Sequence, residues 1–314
     1  DSPESPVKSE LETPVVKKTG TDGRDNLSGT SGDDILIGLR GDDYLYGGAG
    51  DDKLVGGHGE DRLYGGAGDD LIVDDLSGDY GGQNLIYGGD GDDTIRITAI
   101  YNKVYGEDGN DTIILGNASR AGYLFTSFEG GAGADTIIIK SGSATVSYIS
   151  SPVALFADLA KQVVKGGHAF GDMITNVHHI EGTHFDDTLI GSDQGNYFHG
   201  ERGDDIIRGG AGGDNLYGDE GNDIVRGEAD GDNLYGGAGD DLLVGGAGDD
   251  QLAGEAGADR IKGGAGQDEA YYAASTGGIT VNLVTGIGTG GHAEGDILTD
   301  IEDLWGSDYN DTLI

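Results

Sequence analysis

The sequence predicts an all-β solenoid built from short stacked strands. Three observations carry this prediction: a nine-residue repeat, glycines at fixed positions of the repeat, and a large aliphatic residue at another fixed position. The first block of repeats begins at Gly29 and reads GTSGDDILI, GLRGDDYLY, GGAGDDKLV, GGHGEDRLY and GGAGDDLIV. A second block runs from Gly182 to Tyr271 in ten further units. The consensus is G-G-x-G-x-D-x-U-x, where U is a large aliphatic residue.

Each position of the repeat predicts a local structure. Glycines at positions 1, 2 and 4 predict a tight turn with positive φ, a conformation closed to residues that carry a side chain. Positions 7 to 9 predict a very short strand whose middle residue points into the core. Nine residues then form half a coil, so two repeats complete one turn of a flattened solenoid with a strand on each face. The predicted core residues of this ladder include Leu45, Leu54, Leu63, Leu216, Leu234, Leu243 and Leu252.

Position 6 is an aspartate in most units, and it predicts a metal site. In a solenoid these carboxylates stack in two rows of like charge, which is unfavourable unless a cation compensates them. Calcium accepts about six to eight oxygen ligands in flexible geometry, and glycine turns expose backbone carbonyl oxygens as further ligands. The predicted calcium ligands are Asp34, Asp43, Asp52, Asp61, Asp70, Asp93, Asp111, Asp135, Asp187, Asp205, Asp214, Asp223, Asp232, Asp241, Asp250, Asp259 and Asp268.

The repeat weakens in residues 73–141, where position 6 is Asn84 in one unit and Asn102 in another. The aliphatic ladder continues there, so we expect the solenoid to persist with fewer ions. The insertion 115–129 is rich in aromatic residues and predicts a surface loop or a contact surface. The residues that continue the ladder are Ile86, Ile95, Val104, Ile113 and Ile137.

A second level of repetition follows each block. Residues 166–190 align without gaps on residues 290–314, at an offset of 124 and with 12 of 25 positions identical. Upstream of the first copy, Ser151 and Pro152 could cap a helix, whereas Ile279, Val281 and Leu283 alternate as in a strand. One architecture must serve both copies, and we therefore predict strands.

The segment HHIEGTH offers a candidate zinc site formed by His178, His179, Glu181 and His184. The aligned residues of the second copy are Glu302, Asp303, Trp305 and Asp308, which do not preserve that ligand set. The comparison therefore disfavours zinc at HHIEGTH. Asp172 and Asp296, in the shared motif GHAxGD, are candidates for additional calcium ligands.

Composition narrows the functional classes. The chain of 314 residues carries 58 acidic and 18 basic side chains, a formal net charge of −40, which disfavours a nucleic-acid partner. No apolar run approaches the length of a membrane span, so we expect no membrane insertion. Cysteine is missing, which fits either a reducing compartment or an exported protein. An unstructured acidic chain would not explain the aliphatic position, although without calcium such a state is expected.

The tandem units resemble the repeats-in-toxin (RTX) nonapeptides of haemolysin-type toxins, secreted proteases, lipases, alginate epimerases, adhesins and some surface-layer proteins. The resemblance implies a right-handed parallel β-roll solenoid, with two calcium-loaded rolls joined by short β connector segments. In that family each ion lies between turns i and i+2 on one edge. The pairs that would share ions include Asp34 with Asp52, Asp43 with Asp61, Asp214 with Asp232, and Asp223 with Asp241.

The expected organisation follows from these patterns. A disordered linker (1–19) precedes the first roll (20–138), which is degenerate after residue 73. A connector (139–181), the second roll (182–271), a second connector (272–305) and the start of a third, truncated roll (306–314) follow, so we expect a longer protein. Counting inter-turn sites predicts on the order of ten calcium ions.

The expected function is that of a calcium-binding region of an exported bacterial protein, with a structural or cell-surface role as a surface-layer, adhesin or extension segment. Alternatives are the accessory module of a secreted epimerase, lipase or protease, and polysaccharide binding through the outward tyrosines Tyr46, Tyr64, Tyr217 and Tyr235. No catalytic or organic-cofactor motif is visible, so we expect no enzyme activity in this chain. Expected partners are calcium, cell-surface polysaccharide and copies of the chain itself, and the expected location is secreted or extracellular.

Overall fold

The structure, a computed structural model, describes residues 15–74, 83–98, 101–117 and 126–314. In these residues the fold is all-β, with strands in three sheets and two short 3₁₀ turns, Gly167–Ala169 and Gly291–Ala293. Residues 118–125 of the insertion predicted at 115–129 lie outside the described residues. The predicted linker 1–19 ends earlier than expected, because Lys17–Thr19 already form a strand that pairs with the first roll.

The strands are numbered along the chain and distributed over the sheets as follows. Sheet A contains, in order, β1 (Lys17–Thr19), β3 (Ile35–Arg40), β5 (Lys53–His58), β7 (Leu71–Asp74), β9 (Thr94–Ile97), β11 (Thr112–Asn117), β13 (Thr136–Ser141) and β17 (Met173–Thr175). Sheet B contains β2 (Asn26–Ser28), β4 (Tyr44–Ala49), β6 (Arg62–Ala67), β8 (Asn84–Asp90), β10 (Asn102–Asp108), β12 (Ser127–Ala132), β14 (Thr145–Ser147), β18 (His179–Glu181), β20 (Tyr197–His199), β22 (Asn215–Glu220), β24 (Asn233–Ala238), β26 (Gln251–Ala256), β28 (Glu269–Tyr271) and β32 (Asp303–Trp305). Sheet C contains β16 (Val163–Lys165), β15 (Phe156–Asp158), β19 (Thr188–Ile190), β21 (Ile206–Ala211), β23 (Ile224–Ala229), β25 (Leu242–Ala247), β27 (Arg260–Ala265), β31 (Ile297–Thr299), β30 (Ile287–Thr289), β29 (Thr280–Asn282) and β33 (Thr312–Leu313).

Within each roll, consecutive strands alternate between the two faces, and each pairs in parallel with the strand one coil further on. Leu216, Leu234 and Leu252 are successive partners in sheet B. Two repeats therefore make one coil, as predicted. The strands are longer than predicted: a typical one, β25, covers positions 7 to 9 and the first three positions of the next unit. The first positions of that next unit, mostly glycines, continue the hydrogen bonding between strands, because their backbone groups pair in register with those of the adjacent coil.

The core is the predicted aliphatic ladder. From Leu36 to Ala270 the position-8 residues of both faces are buried and meet in one cluster, and the predicted continuation through residues 73–141 is confirmed. Phe128 and Phe198 occupy the same position in two less regular units. The buried ladder thus continues across the degenerate stretch and holds the coils in register.

The glycine prediction is correct at two positions and wrong at a third. Positions 2 and 4 have positive φ, 112° at Gly237 and 143° at Gly239, whereas Gly236 at position 1 does not. The claim that these turns are closed to side chains is also wrong, since Glu228 has φ 82° at position 2 and Asp230 has φ 72° at position 4. Both side chains are exposed, and both residues adopt a left-handed backbone conformation that is uncommon outside glycine.

The two connectors share one architecture, as the internal alignment predicted. β15, β16, the first 3₁₀ turn, β17 and β18 recur in the same order as β29, β30, the second 3₁₀ turn, β31 and β32. The strand prediction for both copies is confirmed, and the helix that Ser151 could have capped does not form. Sheet B runs through both connectors without a break, while on the other face sheet A ends at β17 and sheet C begins beside it. The rolls are therefore joined through a shared sheet.

Candidate metal centre along two edges

The position-6 residues lie along two edges of the solenoid. The continuous edge is formed by the turns that enter sheets A and C, and the interrupted edge by the turns that enter sheet B. Position 6 of the continuous edge is Asp34, Asp52, Asp70, Asp93, Asp111 and Asp135 in the first roll and Asp187, Asp205, Asp223, Asp241 and Asp259 in the second. Position 6 of the interrupted edge is Asp25, Asp43 and Asp61, then Asn84, Asn102, Thr126, Ala144, His178 and Asn196, and then Asp214, Asp232, Asp250, Asp268 and Glu302.

Each aspartate uses one carboxylate oxygen to tie neighbouring coils together. The backbone N–H of Asp223 donates to Oδ1 of Asp241 at 2.7 Å, and the N–H of Asp241 donates to Oδ1 of Asp259 at 2.9 Å. All four pairs expected to share ions are neighbouring rungs with this same bond. The predicted pairing of turns i and i+2 is therefore the observed geometry.

The other carboxylate oxygen faces a small space lined by oxygen atoms. Oδ2 of Asp241 is buried and accepts no hydrogen bond from the described residues. A Cβ placed on Gly236 would lie 2.3 Å from this oxygen and 2.7 Å from the carbonyl oxygen of Gly254 on the next coil. Position 1 thus requires glycine because of close approach, since a side chain would fill the space that the two oxygens share.

The same arrangement recurs along both edges. Among the described residues, the aspartates whose Oδ2 is buried without a hydrogen-bond partner are Asp43, Asp52, Asp61, Asp70, Asp93, Asp111, Asp135, Asp205, Asp214, Asp223, Asp232, Asp241, Asp250, Asp259 and Asp268. A buried carboxylate oxygen without a donor is costly, so each position calls for a cation. Carboxylate and carbonyl oxygens are the donors that calcium prefers.

Burial and mutual repulsion oppose the charged form of these aspartates. Burial, together with the nearby charges of Asp111 and Asp70, raises the pKa of Asp93 to about 8. Burial and the charges of Asp187 and Asp223 likewise raise the pKa of Asp205 to about 8. A cation that binds the carboxylates removes this penalty, because it stabilises the ionised form.

Two predicted ligands differ from the rest because threonines occupy their carboxylates. The N–H of Thr183 donates to Oδ2 of Asp187 at 2.6 Å and its hydroxyl donates to Oδ1 at 2.8 Å. Thr30 makes both contacts with Oδ2 of Asp34, where burial is outweighed by the hydrogen bonds and the pKa lies below its usual value. Asp34 and Asp187 are therefore the first aspartates of their rows, and a threonine supplies the carboxylate of each with hydrogen-bond donors.

Tyrosines end the rows on the continuous edge, a feature that the sequence reasoning missed. Asp172 and Asp296 accept the backbone N–H groups of Asp135 and Asp259 at 2.8 and 2.9 Å, so they continue the two rows. Their Oδ2 atoms, however, accept the hydroxyl groups of Tyr148 and Tyr272 at 3.1 and 2.8 Å. The available signal was that Tyr148 and Tyr272 are equivalent in the 124-residue internal alignment.

The histidines of HHIEGTH are placed apart. His178 takes position 6 on the interrupted edge, His179 lies on the outer face beside Tyr197, and His184 is exposed in the following turn. In the described part of the chain, the metal-ligating side chains that meet within 4.8 Å of one another are instead His199, Glu201 and Asp219.

In the same residues, no helix is long and apolar enough to cross a membrane.

Coiled parallel sheets with oxygen-lined sites between glycine turns define a calcium-binding parallel β-roll. The family model of the RTX calcium-binding nonapeptide repeat, HemolysinCabind, matches residues 19–54, 38–72, 79–96, 101–118, 181–216, 208–243, 217–252 and 235–270. These matches cover more than half of the chain, and the chain belongs to this family. No curated protein matches the sequence.

Proposed function

We propose that this chain is a calcium-folded structural segment of an exported protein, acting as a surface-layer, adhesin or extension element. The observation that carries the proposal is the set of buried Oδ2 atoms that have no hydrogen-bond donor among the described residues. A chain of net charge −40 that buries carboxylates in rows depends on cations for its compact state. Calcium, when bound, supplies the positive charge that these rows lack.

The shape of the fold supports a structural role. In the part of the chain that the structure describes, sheet B contains fourteen strands in one uninterrupted order, and a strand spacing of about 4.8 Å makes this sheet about 60 Å long. Parallel stacking places each coil in contact with its neighbours only, as in other solenoids. A segment of this kind separates the parts of a protein on either side of it by a fixed distance.

Export is supported by the family, since RTX repeats are typical of secreted proteins that bind extracellular calcium. Extracellular calcium modules bind with dissociation constants of about 10⁻⁴ to 10⁻³ M. In this proposal the chain stays extended at low intracellular calcium, passes through a type I secretion pathway, and folds outside the cell. We further propose that the chain holds on the order of ten ions, by the nearest-neighbour count of inter-turn sites.

The alternative of polysaccharide binding rests on the outward tyrosines, all of which lie in one column of sheet B. The rings of Tyr64, Tyr217 and Tyr235 stack on neighbouring rings: the centroids of Tyr64 and Tyr87 are 5.1 Å apart, and those of Tyr217 and Tyr235 are 4.6 Å apart with an interplanar angle of 4°. A sugar ring that packs on an aromatic residue needs an open ring face, and neighbouring rings cover the faces between Tyr64 and Tyr87 and between Tyr217 and Tyr235. Of the four outward tyrosines, Tyr46 is exposed and stacks on no described ring. We therefore favour the structural role and treat the tyrosines as a stabilising ladder.

The alternative of an accessory module in a secreted enzyme shares the same calcium chemistry. In our proposal the chain contributes no catalysis of its own, since its position-6 aspartates are all used between coils. The two roles differ in what removal of the segment changes. Deletion of an accessory module lowers the activity of the attached enzyme, whereas deletion of a structural segment alters cell-surface attachment or layer spacing.

Calcium-dependent folding is the primary test. In calcium-free buffer, far-ultraviolet circular dichroism should show coil, and added calcium should produce a β signal and a sharp rise in melting temperature. Magnesium should not substitute, because it requires near-octahedral geometry and loses water reluctantly. Isothermal titration calorimetry should count on the order of ten ions per chain. A spectrum that chelation leaves unchanged, or a count of one or two ions, contradicts the proposal.

A further inference from the structure

A second group of ligating side chains lies outside the calcium rows, on the outer surface of sheet B. We call it the His199 cluster, and it consists of His199, Glu201 and Asp219. Nδ1 of His199 lies 2.8 Å from Oδ2 of Asp219, and the backbone N–H of Glu201 donates to the same oxygen at 3.3 Å. One ligand atom from each of the three residues lies within 4.8 Å of the other two. The three side chains therefore converge on a volume that a single ion can fill.

The position of the cluster in the repeat separates it from the calcium sites. His199 is at position 9, one rung before Tyr217 in the outward column, and Glu201 and Asp219 are at position 2 of successive coils. The calcium rows use the inward position 6 instead. On the next coil the corresponding residues are Tyr235 and Gly237, which offer no comparable ligand set. The cluster is thus local to two coils.

Neighbouring residues fix the imidazole and add negative charge. The ring of Tyr217 stacks on that of His199 with centroids 4.4 Å apart and an interplanar angle of 5°. Glu181 is the preceding rung of the outward column, paired in register with His199, and adds a further acidic group beside Glu201. Burial and the charges of Glu181 and Asp219 raise the pKa of Glu201. An oriented imidazole beside three acidic groups is a half-buried site suited to a cation.

We propose that the His199 cluster binds a divalent transition-metal ion of the zinc class, independently of the calcium rows. Zinc takes imidazole nitrogen and carboxylate oxygen together, whereas calcium takes oxygen ligands. Three protein ligands leave a coordination position for water or for a group from another molecule. The ion takes the place of the contact between Nδ1 of His199 and Oδ2 of Asp219, so that both atoms become ligands.

The repeat itself supplies variants that remove the site and preserve the fold. Glu201 and Asp219 have φ values of 77° and 73° at a position where the consensus is glycine. Asp219→Gly therefore restores the consensus and relieves the backbone, and His199→Tyr extends the tyrosine column from Tyr217. Neither change touches a position-6 aspartate. Calcium-dependent folding of both variants should match or exceed that of the unsubstituted chain.

The test is a titration of the full chain with Zn²⁺ by calorimetry in buffer with excess calcium, with Co²⁺ absorption as a second readout of the ligand set. We expect one Zn²⁺ per chain that calcium does not displace, and a loss of affinity of at least about tenfold in His199→Tyr and Asp219→Gly. His184→Ala, which removes an exposed histidine of the neighbouring turn, should bind as the unsubstituted chain does.

Three outcomes would overturn the proposal: no Zn²⁺ binding, binding that calcium displaces, or binding that His199→Tyr and Asp219→Gly leave unchanged. In each of these cases the His199 cluster is not an independent zinc-class site, and the contact between Nδ1 of His199 and Oδ2 of Asp219 only links two coils. Melting curves in calcium accompany every titration, so a variant that fails to fold is recognised separately. The proposal is independent of the role assigned to the calcium rows, since it requires only that the coils of β20 and β22 are formed.

Discussion

The two edges of the solenoid are built from the same repeat, yet only one carries aspartate along its whole length. The continuous edge has an aspartate at every rung from Asp34 to Asp172 and again from Asp187 to Asp296. On the interrupted edge six successive rungs are neutral or histidine, from Asn84 to Asn196. The buried aliphatic ladder is the same beside both edges. Stacking of the coils therefore requires the buried aliphatic ladder along the whole solenoid. Ion binding is needed only at the rungs where position 6 is an aspartate.

The neutral rungs show how a coil stacks without an acid. Oδ1 of Asn84 accepts the N–H of Asp61 at 2.7 Å, as an aspartate would, while its amide donates to Asp74. Oδ1 of Asn196 accepts the N–H of Ser192 at 2.9 Å, and its own N–H donates to Asp214 at 2.7 Å. The side-chain oxygen of asparagine can accept the N–H group of the neighbouring coil. Its side-chain amide is neutral and donates a hydrogen bond where an aspartate would present a charged oxygen, so no cation is needed. In the degenerate repeats, position 6 is therefore substituted on the interrupted edge, while the continuous edge keeps its aspartates.

The largest expected effect concerns the charge of the aspartate rows as a whole. Because burial raises the pKa of Asp70 and Asp223 to about 7 and of Asp93 to about 8, protonation favours the folded chain. This stabilising contribution is fully present below a pH of about 4, which is the pKa of aspartate in the unfolded chain. It is lost as the pH rises through 7 to 8. In calcium-free buffer we therefore expect the β signal in circular dichroism to increase from pH 8 to pH 5. An unchanged or decreasing signal would contradict the account of both edges.

The next effect tests whether the acidic end of the interrupted edge is built like the continuous edge. A Cβ on Gly209, at position 1, would lie 2.0 Å from Oδ2 of Asp214, whereas a Cβ on Gly213 of the same unit meets only the carbonyl oxygen of Gly231 at 3.2 Å. Gly209→Ala should lower the free energy of unfolding in calcium by about 3 kcal/mol. Gly213→Ala is the matched control and should change it by less than about 1 kcal/mol. Thermal melts at fixed calcium measure both, and equal losses would refute the proposed cation space.

A smaller effect separates cation binding from acidity on the continuous edge. Asp241 is buried with Oδ2 free of donors, while the adjacent Asp240 is exposed and accepts the N–H of Ala258 at 2.9 Å through Oδ1. Asp241→Asn and Asp240→Asn remove the same charge and keep an Oδ1 acceptor. Asp241→Asn places an amide donor at the cation position and should cost about 2 kcal/mol in calcium, whereas Asp240→Asn should stay within about 0.5 kcal/mol.

Calcium titrations and melting curves of these two variants decide whether Asp241 binds a cation or only contributes to an acidic surface. If the aspartates act only as an acidic surface, both variants should weaken calcium binding equally, and salt should screen the effect. Alanine is the poorer choice at Asp240, because it also removes the bond from Ala258. Indistinguishable curves would refute the register on which the assignment of Asp241 as a ligand depends.

The smallest expected effect is a gain of function on the interrupted edge. Asn196 occupies position 6, and a Cβ on Gly191 would lie 2.4 Å from its Oδ1 and 1.9 Å from the carbonyl oxygen of Gly209, as at the acidic rungs. Asn196→Asp should therefore extend the row that begins at Asp214 by one ion and stabilise the calcium form by about 1 kcal/mol. Asn215→Asp, which adds the same charge on the outer face, is the control. A calorimetric ion count that does not rise would show that the Asn196 rung lacks a further ligand.

Much of the fold could be predicted from the sequence, because its determinants are local and repeated. The nine-residue period fixed the strands and the core, the internal alignment of the connectors selected strands over a helix, and the buried position-6 aspartates are those the pattern indicated. The family assignment followed from the same units. The glycine rule failed in part, since position 1 is small because oxygens approach it and position 2 accepts Glu228.

The tertiary structure alone decided what meets across the coils. Units nine residues apart in sequence lie on opposite edges, so Asn84 and Asp93 belong to different rows although they are neighbours along the chain. Asp135 meets Asp172 across 37 residues and Tyr148 meets Asp172 across 24, separations that no repeat period contains. The His199 cluster likewise joins two coils. Periodicity determines which residues face the core or an edge, whereas only stacking of the coils determines which side chains share a site.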